Sequence, residues 1–358
     1  MSRDHQVIRV AVRAVDVGYF NTKLTLGRKA QGESSVIATH MFPSLAPLLT
    51  ANAMKASDSL QTLNGCVVDV DGARYFVGKD AAHHTSALEP RPVLDNYSIS
   101  PKYLALLRGA LASIAEDAGA GPGDECVIAH LVIGLPLNTF LKHHAVVAER
   151  ARGEHVVGVP GSNARRVTVE SVSVVPQPRG AFLDHAVSCG GHLDGWTLVV
   201  DPGGGTLDWF LASKVKANYA RSGAYPKAML ACAYAVADEI DPKWRDNLVV
   251  IERIDHAIRV GAGSFRAGGV EHDLSTHKAK VNAVIEEAVT KMLAMVGDTA
   301  DLDLILVTGG GAKVFHDYLL ATRPSLAPLL RTEPDPIFSN VRGFQIFGEV
   351  KMARPQSR

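Results

Sequence analysis

Apolar and polar positions alternate along two stretches of the chain, and each stretch runs into an acidic turn that contains glycine. Val7 to Val15 is rich in β-branched residues with interspersed arginines, which predicts a strand, and Asp16-Val17-Gly18 follows it. Trp196 to Val200 predicts another strand, followed by Asp201-Pro202-Gly203. Each turn leads into a second short strand, so the sequence contains two strand–turn–strand units 185 residues apart.

This internal repeat predicts two similar α/β domains that face each other, and a cleft between domains is a preferred place for a small ligand. Helical periodicity fills much of the chain between the repeated units. Ser100-Pro101 opens the first helix, with serine as the N-cap and proline at the first helical position. The predicted helices cover residues 101–118, 139–151, 225–240, 248–260 and 275–296, and further strands cover residues 126–133, 167–175 and 302–307.

Composition excludes several classes of protein. The chain has 358 residues, 47% of them hydrophobic and 21% charged, which suits two folded domains and excludes wholesale disorder. Lys+Arg and Asp+Glu both number 37, so a basic footprint over the whole chain, as expected for direct nucleic-acid binding, is absent. The four cysteines form no Cys-x-x-Cys pair, and no run approaches the ~18 apolar residues of a membrane helix. We therefore expect a reduced, cytoplasmic protein.

Glycine-rich turns beside an aspartate suggest phosphate binding, because backbone N–H groups without a neighbouring Cβ can approach phosphate oxygens closely. The aspartate is explained if Mg²⁺ lies between it and the phosphate, held mostly through water. Lys23 lies where it can neutralise phosphate oxygens. Asp201 to Asp208 repeats the arrangement with three consecutive glycines, and Gly309 to Gly311 follows a third strand. Each turn alone is also compatible with a plain tight hairpin, but the three together favour a nucleotide.

The sequence does not match other known nucleotide-binding or metal-binding patterns. Gly27 to Gly32 has the spacing of a P-loop, but Glu33-Ser34 stands where Lys-Ser/Thr is required. The G-x-G-x-x-G pattern does not occur. The adjacent pairs His83-His84 and His143-His144 cannot share one helix face, so a histidine metal site is not favoured.

The three loops carry a resemblance to a known superfamily. Asp16-Val17-Gly18-Tyr19-Phe20-Asn21-Thr22-Lys23 resembles the first phosphate loop of the actin/Hsp70/sugar-kinase superfamily. Asp201 to Asp208 resembles its second phosphate loop, and Val307 to Ala312 resembles its adenosine motif. Together with the first loop, Gly134 to Leu137 and Asn340 to Phe344 resemble the plasmid-segregation actins of the ParM/StbA type, with PRTRC system protein D as the most similar branch.

The resemblance spans nearly the whole chain and implies an α/β, actin-like ATPase fold with a nucleotide cleft between two similar domains. It places residues 1–175, completed by 337–358, in the first domain and residues 176–336 in the second. Asp16 and Asp201 would hold Mg²⁺ mostly through its waters, and Asp201 would also act on the attacking water. Gln177 would orient that water, and a neutral amide is a poor base, so the resemblance implies slow hydrolysis. The implied nucleotide contacts are Asp16, Gly18, Tyr19, Phe20, Asn21, Lys23, Gly203, Gly204, Gly205, Thr206, Gly309, Gly310 and Gly311.

Three functions fit the superfamily. The first is a filament-forming ATPase that binds ATP or ADP with Mg²⁺ and polymerises head to tail. It would segregate plasmid DNA through a DNA-binding adaptor. The second is a non-polymerising small-molecule kinase, which needs a carboxylate base that Gln177 does not supply. The third is a chaperone-like ATPase, which we do not expect because only 46 residues follow Ala312. The first function is favoured.

Overall fold

The computed structural model describes residues 5–32, 34–49, 63–85, 94, 96–159, 163–191, 193–214 and 216–354, which fold into two main β-sheets with helices packed on them. The nine strands of the larger sheet are β1 (Val7–Val17), β2 (Asn21–Gln31), β3 (Ser34–Pro43), β4 (Cys66–Val70), β5 (Ala73–Val77), β6 (Glu125–Leu135), β7 (Gly153–Val157), β8 (Arg165–Val169) and β9 (Val172–Pro176). The smaller sheet consists of β10 (Trp196–Pro202), β11 (Leu207–Ser213), β12 (Lys216–Tyr225), β15 (Leu302–Val307) and β16 (Leu330–Arg331), while β13 (Ser264–Ala267) and β14 (Val270–Asp273) form a separate hairpin.

The α-helices of the described ranges are α1 (Pro101–Asp117), α2 (Leu137–Ala151), α3 (Gln177–Ser188), α4 (Met229–Ile240), α5 (Leu248–Val260), α6 (Lys278–Val296), α7 (Ala312–Thr322) and α8 (Ser339–Ala353). Ser100 caps α1 as predicted, because its side chain accepts a hydrogen bond from Tyr103 N. Gly297, at positive φ, ends α6. Over the residues described, no helix combines the length and the apolar character needed to cross a membrane.

The centres of the two sheets repeat one arrangement. β1 pairs antiparallel with β2 and parallel with β6, and β10 pairs antiparallel with β11 and parallel with β15. Asp16 lies opposite Lys23 in the first hairpin, and Asp201 lies opposite Asp208 in the second. The predicted internal repeat is therefore confirmed. Both turns follow the carboxyl ends of central strands, the edge of an α/β sheet at which ligands usually bind.

Helices α3 and α8 connect the two sheets. α8 packs on β1 and β6, and α3 packs against α8, β10 and β11. Gly180 and Gly343 lie where the two helices cross, and a Cβ on either residue would collide with the backbone of the other helix. This close approach brings Gln177 of α3 and Asn340 of α8 into hydrogen bonds with the two acidic turns.

Each sheet has its own buried core. Trp209 and Phe315 belong to the cluster on the smaller sheet, and Leu106 and Leu107 belong to the cluster on the larger sheet. Burying one such side chain contributes roughly 1.5–3 kcal/mol, so each sheet gains a substantial core of its own. The separate cores support the division into residues 1–175 with 337–358 and residues 176–336, which stays a prediction.

Tertiary contacts outweigh local periodicity at several places. The predicted strand over residues 167–175 is wrong in detail, because β8 and β9 pair with different parts of β6 and separate at Glu170-Ser171. The predicted helix over residues 225–240 begins only at Met229, because the chain up to Tyr225 pairs with β11. Periodicity does not predict β3, β12, α3 or α7. In the case of α3, burial on more than one side removes the amphipathic pattern.

Candidate functional site

A cleft that is partly open to solvent lies between the two acidic turns. Thirteen of the fifteen predicted site residues line it, namely Asp16, Gly18, Tyr19, Phe20, Asn21, Lys23, Gln177, Asp201, Gly203, Gly204, Gly205, Thr206 and Gly310. Gly309 and Gly311 are not part of the lining, and both contact the second turn from behind. Residues from positions 16 to 310 therefore meet in one place.

The first turn is built around the buried carboxylate of Asp16. Gly18 N donates to Asn21 O over 3.1 Å and closes the turn. Lys23 Nζ donates to Asp16 Oδ2 over 2.8 Å, and Gln177 Nε2 donates to Asp16 Oδ1 over 2.5 Å. Burial by itself lowers the pKa of Lys23, but the charge and hydrogen bond of Asp16 outweigh it and raise that pKa. Lys23 is therefore a fixed, charged ammonium at the cleft.

The second turn carries two buried carboxylates on neighbouring strands. Asp201 Oδ2 accepts a hydrogen bond from Asn340 Nδ2 over 2.6 Å. Asp208 accepts one from Thr206 Oγ1 over 2.6 Å and one from Leu137 N over 3.1 Å. Burial raises the pKa of Asp201 to about 6 and that of Asp208 to about 7, although hydrogen bonds oppose the shift at both residues. These carboxylates are therefore short of compensating positive charge.

The excess of buried negative charge makes this end of the cleft suitable for a cation. Asp16 and Asp201 line the cleft, and Asp208 lies opposite Asp201 on the neighbouring strand without lining it. All three are 5% exposed or less, and Lys23 hydrogen bonds to Asp16. Carboxylate oxygens are the donors that Mg²⁺ prefers. Across the described ranges, no three His, Cys, Asp or Glu side chains are grouped to hold a metal directly. The carboxylate oxygens of Asp16 and Asp201 at the cleft are donors of the kind that fit Mg²⁺.

The third glycine run supports the second turn as well as facing the cleft. Gly309 has a φ of +78°, and a Cβ at this position would collide with Asp201 Oδ1. Gly311 N donates to Pro202 O over 2.9 Å. Gly310 lines the cleft, and a Cβ there would find open space apart from one contact at 3.9 Å. Only the middle glycine therefore offers its backbone directly to a ligand.

The structure brings further polar residues to the site that the sequence did not assign. Asp208 and Asn340 lie in segments that the sequence singles out, but their hydrogen bonds to residues far along the chain give no local signal. Tyr97, Ser98 and Tyr103 line the cleft from the start of α1. The Ser100-Pro101 signal predicts that helix start, but not its position against the first turn.

A second cavity adjoins the cleft and shares Arg259 with it. Arg259 Nε donates to Asp255 Oδ2 over 2.6 Å at the boundary between the two spaces. Lys278 and Lys313 lie at this second cavity, and its apolar lining includes Ile258, Leu274, Val281, Ile285, Val314 and Tyr318. The composition suits a flat, largely apolar group attached to a charged one.

Comparison with known proteins gives one family match within the chain. Residues 14–180 match the model of the actin-like proteins N-terminal domain. This segment contains the first turn and Gln177. No curated protein matches the chain at a significant level.

Solved structures match nearly the whole chain. An archaeal actin homologue, also solved in complex with ADP, matches with a TM-score of 0.71 and 18% identity over 95% of this chain and 100% of that one. The ParM of a 15-stranded filament from Clostridium botulinum matches with a TM-score of 0.70 and 21% identity over 95% of this chain and 99% of that one. Bacillus thuringiensis ParM with ATP matches with a TM-score of 0.63 and 16% identity over 96% of this chain and 99% of that one.

Proposed function

We propose that this chain, an actin-like protein by the family of its residues 14–180 and by its actin-like fold, binds ATP with Mg²⁺ in the cleft and hydrolyses it slowly. The predicted fold and the resemblance to ParM-type actins are confirmed at that level, and the PRTRC protein D branch stays a prediction. The observation that supports the proposal is the pair of hairpins that face one cleft. Asp16 and Lys23 lie on one side of this cleft, and Asp201 and the three glycines that follow Pro202 lie on the other.

The phosphates would lie between the two turns. The turn from Gly18 to Asn21 and the ammonium of Lys23 would contact them from the larger sheet, and Gly203 to Thr206 would contact them from the smaller sheet. Asp16 and Asp201 would face the waters of Mg²⁺, which, when bound, neutralises charge on the phosphate oxygens.

The adenosine would lie on the side of the smaller sheet. Gly310 offers its backbone there, and the second cavity beyond Arg259 provides apolar walls for the base. The match to a ParM solved with ATP and to an archaeal homologue solved with ADP supports this assignment of the ligand.

Replacing Gln177 with alanine should slow ATP hydrolysis about 100-fold or more, because one water-orienting group is lost. Asp16 holds the Gln177 amide nitrogen, which leaves the amide oxygen as the acceptor that can orient a water. Phosphate release at saturating ATP measures the effect, and Mg²⁺-ADP affinity should stay within a few-fold of that of the unchanged protein. Equal turnover in the Gln177→Ala variant would move the role to Asp201.

Assembly into head-to-tail filaments is the second part of the proposal, supported by the match to a ParM filament. A nucleotide held by both turns closes the two sheets around it and changes the relative placement of surfaces on either side of the cleft. A neighbouring copy that contacts both sides would sense this change, and such a heterologous contact need not close into a ring. Loss of the γ-phosphate removes charge that both turns share and weakens the closed state.

ATP-Mg²⁺ should therefore raise light scattering, with filaments visible in electron micrographs, at protein concentrations up to tens of micromolar, roughly the range for weak protein contacts. ADP should support less assembly. Flat scattering and monomeric particles with a non-hydrolysable ATP analogue would contradict the filament and favour the small-molecule kinase. Against the kinase, Gln177 rather than a carboxylate lies beside Asp16, and Asp208 is not among the residues that line the cleft.

The cellular role follows from the resemblance rather than from the geometry. We propose plasmid DNA segregation in the cytoplasm, through an adaptor protein that binds the DNA. The balanced charge of the chain, with 37 basic and 37 acidic residues, supports an adaptor over direct DNA binding. Co-sedimentation of ATP-assembled protein with plasmid DNA tests this, and binding without any adaptor would contradict it.

A further inference from the structure

The segment that leads into α1 packs directly on the first acidic turn. The Tyr97 ring stacks on the Tyr19 ring, with centroids 4.7 Å apart and an interplanar angle of 22°. Tyr97 OH donates to Gly18 O over 3.4 Å. An Arg150 guanidinium nitrogen donates to Ile99 O and holds the segment from the α2 side. The segment and the turn therefore form one wall of the cleft.

This wall carries two buried hydroxyls that lack hydrogen-bond partners. Ser98 and Tyr103 are 4% and 3% exposed, and both line the cleft. Among the residues that the structure describes, neither Ser98 Oγ nor Tyr103 OH has a partner. Leaving a buried hydroxyl unsatisfied costs free energy, so such groups usually mark a place where a ligand or water completes the bond.

The groups around the two hydroxyls indicate what kind of ligand could accept hydrogen bonds from them. Burial, and after it the charge of Asp16, raises the pKa of Tyr103 well above its ordinary value, so the hydroxyl stays protonated and can donate. Neither hydroxyl hydrogen bonds to the Asp16 oxygens, which accept from Lys23 and Gln177. An acceptor on a ligand in the cleft would complete these bonds, and the ammonium of Lys23, which lines the same cleft, favours an anion such as a phosphate oxygen.

We propose that the hydroxyls of Ser98 and Tyr103 donate hydrogen bonds to the terminal phosphate of bound ATP and so distinguish ATP from ADP. This inference rests on the proposed function, because both hydroxyls would hydrogen bond to the third phosphate of ATP in the same cleft. It makes the start of α1 part of the nucleotide site, although the segment belongs to none of the three glycine-containing loops.

The test compares Tyr103→Phe and Ser98→Ala with the unchanged protein by calorimetry, using Mg²⁺ with a non-hydrolysable ATP analogue and Mg²⁺ with ADP. We expect each variant to bind the analogue about 10- to 150-fold more weakly, the loss typical of one hydrogen bond to a charged group. ADP affinity should change less than about 2-fold. Tyr75→Phe, which removes a hydroxyl elsewhere in the larger sheet, should affect neither nucleotide.

A second measurement separates a ligand contact from a structural role. Tyr103→Phe should leave the midpoint of thermal unfolding of the free protein unchanged or raise it, because it removes a buried hydroxyl without a partner. A lower midpoint would overturn the inference, and so would an equal loss of affinity for the analogue and for ADP or unchanged binding of both nucleotides. None of these outcomes would contradict the proposed function. Failure of the unchanged protein to bind either nucleotide would overturn the proposed function and the inference with it.

Discussion

Replacing Lys23 with methionine should lower the affinity for ATP-Mg²⁺ at least about 100-fold and the free energy of unfolding by about 3 kcal/mol. Lys23 Nζ lies 2.8 Å from Asp16 Oδ2, and the side chains of both residues are largely buried. Methionine fills a similar volume but leaves Asp16 without its cation, so a buried charge loses its compensation. The phosphates lose their ammonium contact at the same time. Calorimetry measures the affinity, and urea denaturation measures the stability.

Lys29→Met is the matched control on the same strand. Lys29 pairs with Asp117, but its side chain is 50% exposed, so its loss should change stability by less than about 1 kcal/mol and leave nucleotide affinity unchanged. The double variant Asp16→Asn/Lys23→Met removes both charges and should recover part of the stability, but not the binding. Undiminished affinity in a folded Lys23→Met protein would show that the first turn is not a phosphate site.

Replacing Asp208 with asparagine should stabilise the free protein by on the order of 4 kcal/mol more at pH 8 than below pH 4, and by roughly 1.5 kcal/mol more at pH 5 than below pH 4. Burial, followed by the charge of Asp201, raises the pKa of Asp208 from an ordinary value of 3.8 to about 7, while its hydrogen bonds oppose the shift. The folded protein therefore holds this proton more tightly than the unfolded chain does. Stability conferred by the protonated group is full below about pH 4 and is lost as the pH rises through about 7.

Asparagine removes this loss because it carries no charge at any pH. Its amide oxygen can still accept from Leu137 N, and its amide group can donate to Thr206 Oγ1. Urea denaturation at pH 5, 6, 7 and 8 measures the difference between the two proteins. Asp194→Asn, at a side chain that is 85% exposed, should show no such trend. A stabilisation by Asp208→Asn that is equal at all four pH values would contradict the raised pKa.

The sequence alone predicted the parts of the site that depend on neighbouring residues. Strand-forming runs followed by Asp-x-Gly turns predict two hairpins, and in the structure these hairpins set Asp16 opposite Lys23 and Asp201 opposite Asp208. Pairing across a hairpin is local, so residue order is enough to predict it. The start of α1 at Ser100-Pro101 and the end of α6 at Gly297 are local in the same sense, because caps act within one helical turn.

The tertiary structure decided which residues complete those hairpins. Gln177 reaches Asp16 across 161 positions of sequence, and Asn340 reaches Asp201 across 139, through the crossing of α3 and α8 at two glycines. The same packing makes a helix of a segment that has no amphipathic pattern. It also raises the pKa of Asp208, since burial depends on the elements that cover a residue rather than on its neighbours in sequence. Consecutive residues determine the conformation of a turn. The balance of charge and the exclusion of water in the cleft, by contrast, arise only when distant elements pack together.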